Sequence, residues 1–481
     1  MKPKRRQPVQ PGATPPDKNA VDHVREAAEQ DVAGRDGDAA LFSASDLHSD
    51  EQDPDTRPVA AAPESKEANV KPTGAPHRRR STAGSGGGSS SAAKKQTATP
   101  STSTTPALDP ADELEVRLAR MQFFRGAYTR RGINLERHFH PEPLLVTDLD
   151  LLSFEFTARL TLSKTIGEAK SGTGKSAPKP LDRAIWVAGL KQLVDADGGI
   201  VLTALRPSVR VRETVRDLGV TAISVDDLDR WEKTHLTPGL EDVGAHGPTA
   251  FAVDIHARKT VKGEPELERV YWFLRSEVWF LDSWLATKRL IGGLAVLRRY
   301  WTPEVEDDQA LALRWMYAET LSILTFHLVV LVGRFQAFDH RDWQTIASDR
   351  LAEGAVPATN QRALADAFDK YLSHVLGELR APATMSVETM GAFHPTPPDW
   401  TDSLIELLNR LEALPGLAGL PRHTDLTIVE RVVHRRHVDA EALAAVSTRD
   451  PEEFARMRRQ VAAFLRGAVE LPDAIDKAMT S

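Results

Sequence analysis

Between residues 109 and 236 the apolar positions change period repeatedly, and each change predicts an element. Leu114, Leu118, Met121 and Phe124 recur at three and four, which predicts a helix over 111–126, with Asp109 or Asp112 as its cap. Ile133 to Arg137 predicts a short strand, stopped by Pro141 and Pro143. From Leu144 to Thr157 the period is two: Asp148, Asp150 and Leu152 share one strand face, and Leu149, Leu151 and Ser153 the other. A further strand is expected over Lys164 to Lys170, then a loop over 171–180. Ile185, Ala188, Leu190 and Leu193 predict a helix over 181–194, with Asp182 as its cap. A strand (199–203), a helix (208–218) closed by Gly219, a strand (220–225) and a helix (226–233) follow. The order is α-β-β-β-α-β-α-β-α, an α/β arrangement around one mixed sheet.

Past about residue 239 the strand pattern stops. Helices are expected over 266–299, 307–338, 360–380, 401–414 and 424–468, with proline- or glycine-bearing breaks between them. Three regions result: a low-complexity, disordered segment at 1–108, an α/β domain at 109–236, and a separate all-α domain at 237–481. The most apolar run, Thr320 to Gly333, is short for a bilayer and is bounded by Glu319 and Arg334. It predicts a buried helix, with no membrane partner. Trp272, Trp279 and Trp284 predict core packing, and His327 a hydrogen-bonded core histidine.

The net charge of −7 excludes a uniformly basic nucleic-acid coat but not a local basic groove. Cysteine is absent, which excludes disulfides, zinc–thiolate centres and thiol catalysis. A cytoplasmic location is expected, since residues 1–10 lack the apolar run of a signal peptide. Two basic clusters, Arg78 to Arg80 and the stretch with Arg431, His434, Arg435, Arg436 and His437, fit either a solvated face or a nucleic-acid contact.

Three groups carry candidate chemistry. Asp150 on one strand and Glu168 on the next can meet across a hairpin, and Lys170, two residues from Glu168, shares its face. Two carboxylates suit a hard divalent cation, and a lysine beside them suits an attacking water or developing negative charge. Solvent-facing ion pairs give the same pattern. His138 and His140, beside Glu142, offer a metal-like pair without a third ligand. Ala169 to Ser176, AKSGTGKS, ends as a phosphate loop does at Gly174, Lys175 and Ser176. Alanine stands at its first glycine position, however, and Pro178 and Pro180 oppose the helix that such a loop needs at once. Lys175 and Lys179 also suit contact with a nucleic-acid backbone.

Asp150 in DLDLL, Glu168-Ala169-Lys170 in IGEAKSG, and the helix and strand after them resemble the PD-(D/E)xK, or restriction-endonuclease-like, nuclease superfamily over about residues 113–231. The resemblance implies a restriction-endonuclease-like mixed sheet flanked by helices. It implies hydrolysis of phosphodiester bonds, in DNA by preference, in a setting such as bacterial DNA processing or defence. Asp150 and Glu168 would hold Mg²⁺ or Mn²⁺, and Lys170 would position or activate water. Asp148 would assist, Glu113 or Glu115 would supply the upstream helix acid, and Lys191 and Gln192 would face the phosphate. The helical half would recognise substrate, a protein partner or another copy of the chain. The pattern departs in two ways: no proline precedes Asp150, and Asp148 competes for its role. The alternatives are an inactive binding or scaffold protein on the same fold, and a phosphate-loop nucleotidase.

Overall fold

Asp109 starts the first helix, α1 (Pro110–Arg125), by accepting the N–H groups of Ala111 and Asp112, while Pro110 sits where no N–H is needed. The computed structural model describes residues 108–481 except 139–142, 173–177, 303–306, 337, 354–357, 379–395 and 448. The expectations placed on residues 1–107, on His140 and Glu142, and on the Gly174-Lys175-Ser176 loop lie outside the described residues.

Strands β1 (Tyr128–Arg130), β2 (Ile133–His138), β3 (Pro143–Leu149), β4 (Leu151–Phe156) and β5 (Leu162–Lys170) follow α1. Helix α2 (Pro180–Leu193) leads to β6 (Gly198–Thr203), α3 (Val209–Arg216) to β7 (Val220–Ser224), and α4 (Val225–His235) closes this part. Five strands form one mixed sheet in the order β1-β4-β5-β6-β7, and β2 pairs with β3 as a separate hairpin. The β1–β4 and β4–β5 pairs are antiparallel; β5–β6 and β6–β7 are parallel, as their helical crossovers require. Alternation along the strands gives each face its own core. On one face Leu151, Ala169, Leu202 and Ile223 pack with Leu114, Leu118 and Met121 of α1 and Leu228 of α4. On the other, Ile166, Val201, Val220 and Ala222 pack with Ala184, Val187 and Leu190 of α2 and Val215 of α3. Gly199 permits that approach, because a Cβ there would stand 2.7 Å from a Val187 methyl.

Two expectations change here. The strand read over 144–157 is two strands, divided at Asp150: β3 belongs to the hairpin and β4 to the large sheet. Asp148 and Asp150 therefore do not share one continuous strand face. Strand β1 was not anticipated, since three residues are too few to show a period.

The chain continues through α5 (Pro248–Thr260), α6 (Pro265–Arg275), α7 (Ser283–Tyr300), α8 (Asp308–Phe335), α9 (His340–Ala352), α10 (Ala358–Glu378), α11 (Thr401–Glu412), α12 (Leu420–Ile428), α13 (Ala440–Val446), α14 (Pro451–Val469) and α15 (Asp473–Thr480). The helix expected over 266–299 breaks between α6 and α7. The one expected over 424–468 breaks at a π-helical turn over Val429–Val433, ahead of Arg435 at positive φ. Helices α5, α9 and α15 lay outside the expected set. Helix α8 is long and apolar enough to cross a bilayer, yet 89 % of its most apolar window is buried inside the protein. His327 on α8 is buried and within hydrogen-bonding distance of Ser283 at 3.2 Å, and Trp279 and Trp284 are buried as expected.

No gap in packing marks the border expected near residue 237. Tyr128 stacks on Phe326 with centroids 5.0 Å apart, and Phe154 on Trp279 at 5.8 Å. Arg130, 2 % exposed, donates to Glu319 at 2.9 Å and to Asp425 at 2.7 Å. Sheet and helices share one core cluster, and residues 106–481 fall in one compact unit. Two outcomes are expected in denaturant titrations of a chain spanning 106–481. Fluorescence and far-UV circular dichroism report one common transition. Arg130→Ala lowers stability by about 3–5 kcal/mol, because Glu319 and Asp425 are left buried without their cation.

Candidate active site

The chain leaves the hairpin and enters the large sheet at Asp150, and this turn creates the site. The β4–β5 register begins with Leu151 opposite Gly167, so β5 runs past the end of its partner. The N–H of Ala169 consequently faces no strand. The Asp150 carboxylate takes it, with Oδ2 2.8 Å away. Gly167 keeps the strands close at this point, since a Cβ would come within 2.9 Å of the Leu151 side chain.

Glu168 and Lys170 project from the same face of β5. Lys170 Nζ lies 3.1 Å from Asp150 Oδ2 and 3.3 Å from Glu168 Oε1, so one ammonium bridges the two carboxylates. Arg183 Nη1, from the first turns of α2, is 3.3 Å from the same Glu168 oxygen. Asp150 and Glu168 are buried, whereas the Lys170 side chain is a third exposed. Burial pushes both carboxyl groups above their ordinary range, and Lys170 opposes this in each case. Burial pulls the Lys170 ammonium down, but Asp150 and Glu168 outweigh it and hold the ammonium above its usual value.

A third acid comes from α1. Glu115 is pushed up to about 8, first by burial and then by the negative charge of Asp150, with Arg131 and Lys170 pulling the other way. Arg131 is buried, and that burial brings it down to about 10 despite Asp254. At neutral pH Glu115 thus keeps its proton beside this cluster.

The expected residues divide cleanly. Asp150, Glu168 and Lys170 come together. Of the two helix acids, Glu115 faces the cluster and Glu113 is exposed to solvent. Asp148 is exposed on β3, opposite Asn134 in the hairpin, and enters the site only as a weak charge near Asp150. Lys191 and Gln192 do not belong: Lys191 reaches the carbonyl of Asp197 at 3.3 Å, next to the start of β6, and Gln192 is exposed. Both lie two helical turns beyond Arg183, about 12 Å along α2, toward the opposite edge of the sheet. Arg183 was missed, although a cation in the first turn of the helix after a Glu-x-Lys strand is a usable signal. Arg431 and Arg436 are not a free basic face: Arg431 bonds the carbonyl of Ala478, and Arg436 pairs with Glu430.

No cluster of three or more Asp, Glu or His residues at metal-ligand spacing occurs among the described residues. The donor set nevertheless suits a hard divalent ion. Carboxylate oxygens of Asp150 and Glu168 flank a single cation already, and Glu115 is a half-buried acid whose ionisation Arg131 and Lys170 only partly offset. Comparison with protein-family models, with curated proteins and with solved structures returned no match.

The Glu115 shift has a measurable consequence. Its folded-state value, about 8, exceeds the ordinary 4.5, so between these values the folded protein holds more protons than the unfolded one. Stability attributable to this residue therefore falls as pH rises from about 4.5 to about 8, and is level above that. In EDTA, Glu115→Gln is expected to gain stability over wild type across that window, by denaturant titration at several pH values. A difference independent of pH would contradict the assignment.

Proposed function

We propose that the protein is a metal-dependent nuclease of the restriction-endonuclease-like type, acting on phosphodiester bonds, in DNA by preference. The observation that carries this reading is the meeting of Asp150, Glu168 and Lys170 at the C-terminal end of β5, the middle strand of a mixed sheet, with Arg183 from the next helix beside them. The strand order, with antiparallel β4–β5 followed by parallel β5–β6 and helices on both faces, supports the same fold reading.

Asp150 and Glu168 would hold Mg²⁺ or Mn²⁺. The bound ion would polarise the phosphoryl oxygen and lower the pKa of a water. The chain's own groups do the rest. The hydrogen bond from Ala169 fixes one oxygen of Asp150, leaving the other free to turn toward a ligand. Lys170, partly open to solvent, presents an ammonium to the attacking water and to charge that builds on the phosphate. Arg183 steadies Glu168 and offers a second cation to the substrate backbone.

The pairing of both acids with Lys170 and Arg183 also favours a second reading, a nuclease-like fold that binds nucleic acid without cutting it. Cleavage of linear and plasmid DNA in Mg²⁺ separates the two. The nuclease reading expects wild-type cleavage, lowered at least about 100-fold by Glu168→Gln and by Lys170→Ala. Magnesium also has a readout apart from activity. Saturating Mg²⁺, at about a hundred times its Kd, is expected to stabilise wild type by about 2.7 kcal/mol and to leave Asp150→Asn with Glu168→Gln unchanged. Wild type that neither cuts nor gains stability from Mg²⁺ sinks the first reading.

A further inference from the structure

One aromatic side chain lies on the surface beside this site. Trp186 is 44 % exposed and its neighbour Ile185 is 55 % exposed, whereas every other tryptophan is buried or half-buried. Trp186 is three residues after Arg183 on α2, so the two side chains are neighbours on one face. Helical side chains lean toward the N-terminus, and that is the end of α2 at which Arg183 meets Glu168.

Cations outnumber acids at this end of the sheet, with Asp182 the exposed acid in the first turn of α2. Strands β5 and β6 are parallel, so the N-terminal ends of α2 and α3 emerge at the same edge of the sheet. Lys179 precedes α2, and Arg206 and Arg210 flank the start of α3; all three are exposed. With Arg183 they place four cations at the end of the sheet that carries the candidate active site and the start of the Trp186 helix, in a chain whose net charge is −7. Helix N-termini add two further ends that favour anions.

We propose that Trp186 is a stacking platform for an unpaired nucleotide next to the phosphodiester under attack, with Lys179, Arg183, Arg206 and Arg210 holding neighbouring phosphates. The favoured substrate class is therefore nucleic acid with a single-stranded segment at the site. This rests on the nuclease reading for its location and goes beyond it in naming what the surface recognises. An indole face accepts any base, and flanking cations accept the backbone, which is the combination that single strands require. A base inside a duplex is already stacked and leaves the indole without an occupant. A second copy of this chain fits the face less well. A two-fold contact centred here would set four cations against their own counterparts.

The test is binding of the full chain to a short oligothymidylate and to a duplex of equal length, in EDTA so that cleavage is off. Trp186→Ala is expected to weaken oligothymidylate binding about tenfold, with duplex binding little changed and Trp186→Phe close to wild type. Retained affinity in Trp186→Ala overturns the proposal. Equal losses on both ligands overturn it too, as does an equal loss in Trp186→Phe. So does a wild-type dimer that Trp186→Ala dissociates, since the face then belongs to a second copy. The two proposals fail separately. Trp186-dependent binding without Mg²⁺-dependent cleavage upholds the surface and removes the nuclease; cleavage with binding indifferent to Trp186 does the reverse.

Discussion

A single hydrogen bond between the Asp150 carboxylate and the N–H of Ala169 governs the geometry of the sheet edge. Strand β5 outruns β4 at this point, and a buried N–H without an acceptor costs about 1–3 kcal/mol. Asp150 supplies the acceptor from a residue that belongs to neither strand. Because the same carboxylate also faces Lys170, satisfying the backbone and assembling the charged cluster are one event. The turn at Asp150, the split between two sheets and the position of Glu168 follow from it. A side chain without an acceptor at 150 would leave the Ala169 N–H unmatched and Lys170 with Glu168 alone.

Behind this edge, charge burial joins the sheet to the helices. Arg130 leaves β1 and meets Glu319 on α8 and Asp425 on α12; Arg275 on α6 pairs with Asp254 on α5. These residues, with Arg131 and His246, sit around or against a small cleft in the seam. Such pairs add little net stability over well-packed apolar groups, but they are severe about position, since each fails if one partner moves. Aromatic contacts such as Tyr128 on Phe326 add area without that precision. The helical region is thereby held in one arrangement against β1 and β4. Arg131 extends the same seam toward Glu115, so the candidate active site and the interface share a charged residue.

Much of the α/β part was legible because its elements are long relative to their periods. The strand expected over Lys164 to Lys170 and the three-and-four spacing up to Phe124 correspond to β5 and α1 within a few residues. Strand β1 was not legible: Tyr128 to Arg130 carries a buried arginine, and only its distant partners Glu319 and Asp425 make a strand there tolerable. The division at Asp150 was hidden for the opposite reason. Alternation continues smoothly through the point where the chain changes sheets, so period alone reports no break. The helical half misled where apolar residues ran on past a π turn at Val429. Among site residues, spacing placed Asp150, Glu168 and Lys170 together. It could not choose Glu115 over Glu113, because that depends on how α1 lies across the sheet.

Two features of the site pull on the same helix from different directions. Arg183 reaches down to Glu168, and Trp186, one turn on, stays open to solvent with Ile185. Rotating α2 to bury the indole would withdraw the guanidinium from Glu168 and lift Val187 off Gly199. The exposed apolar surface is thus the consequence of a helix whose rotation is fixed on its inner side. An isolated exposed tryptophan needs no functional account on a scaffold free to vary. Here the inner contacts decide where the indole must stand, and the cations of the two helix starts decide what can approach it. In the proposed reading, a base stacked on Trp186 is therefore tied to the carboxylates by the rotation of one helix, without any movement of the fold.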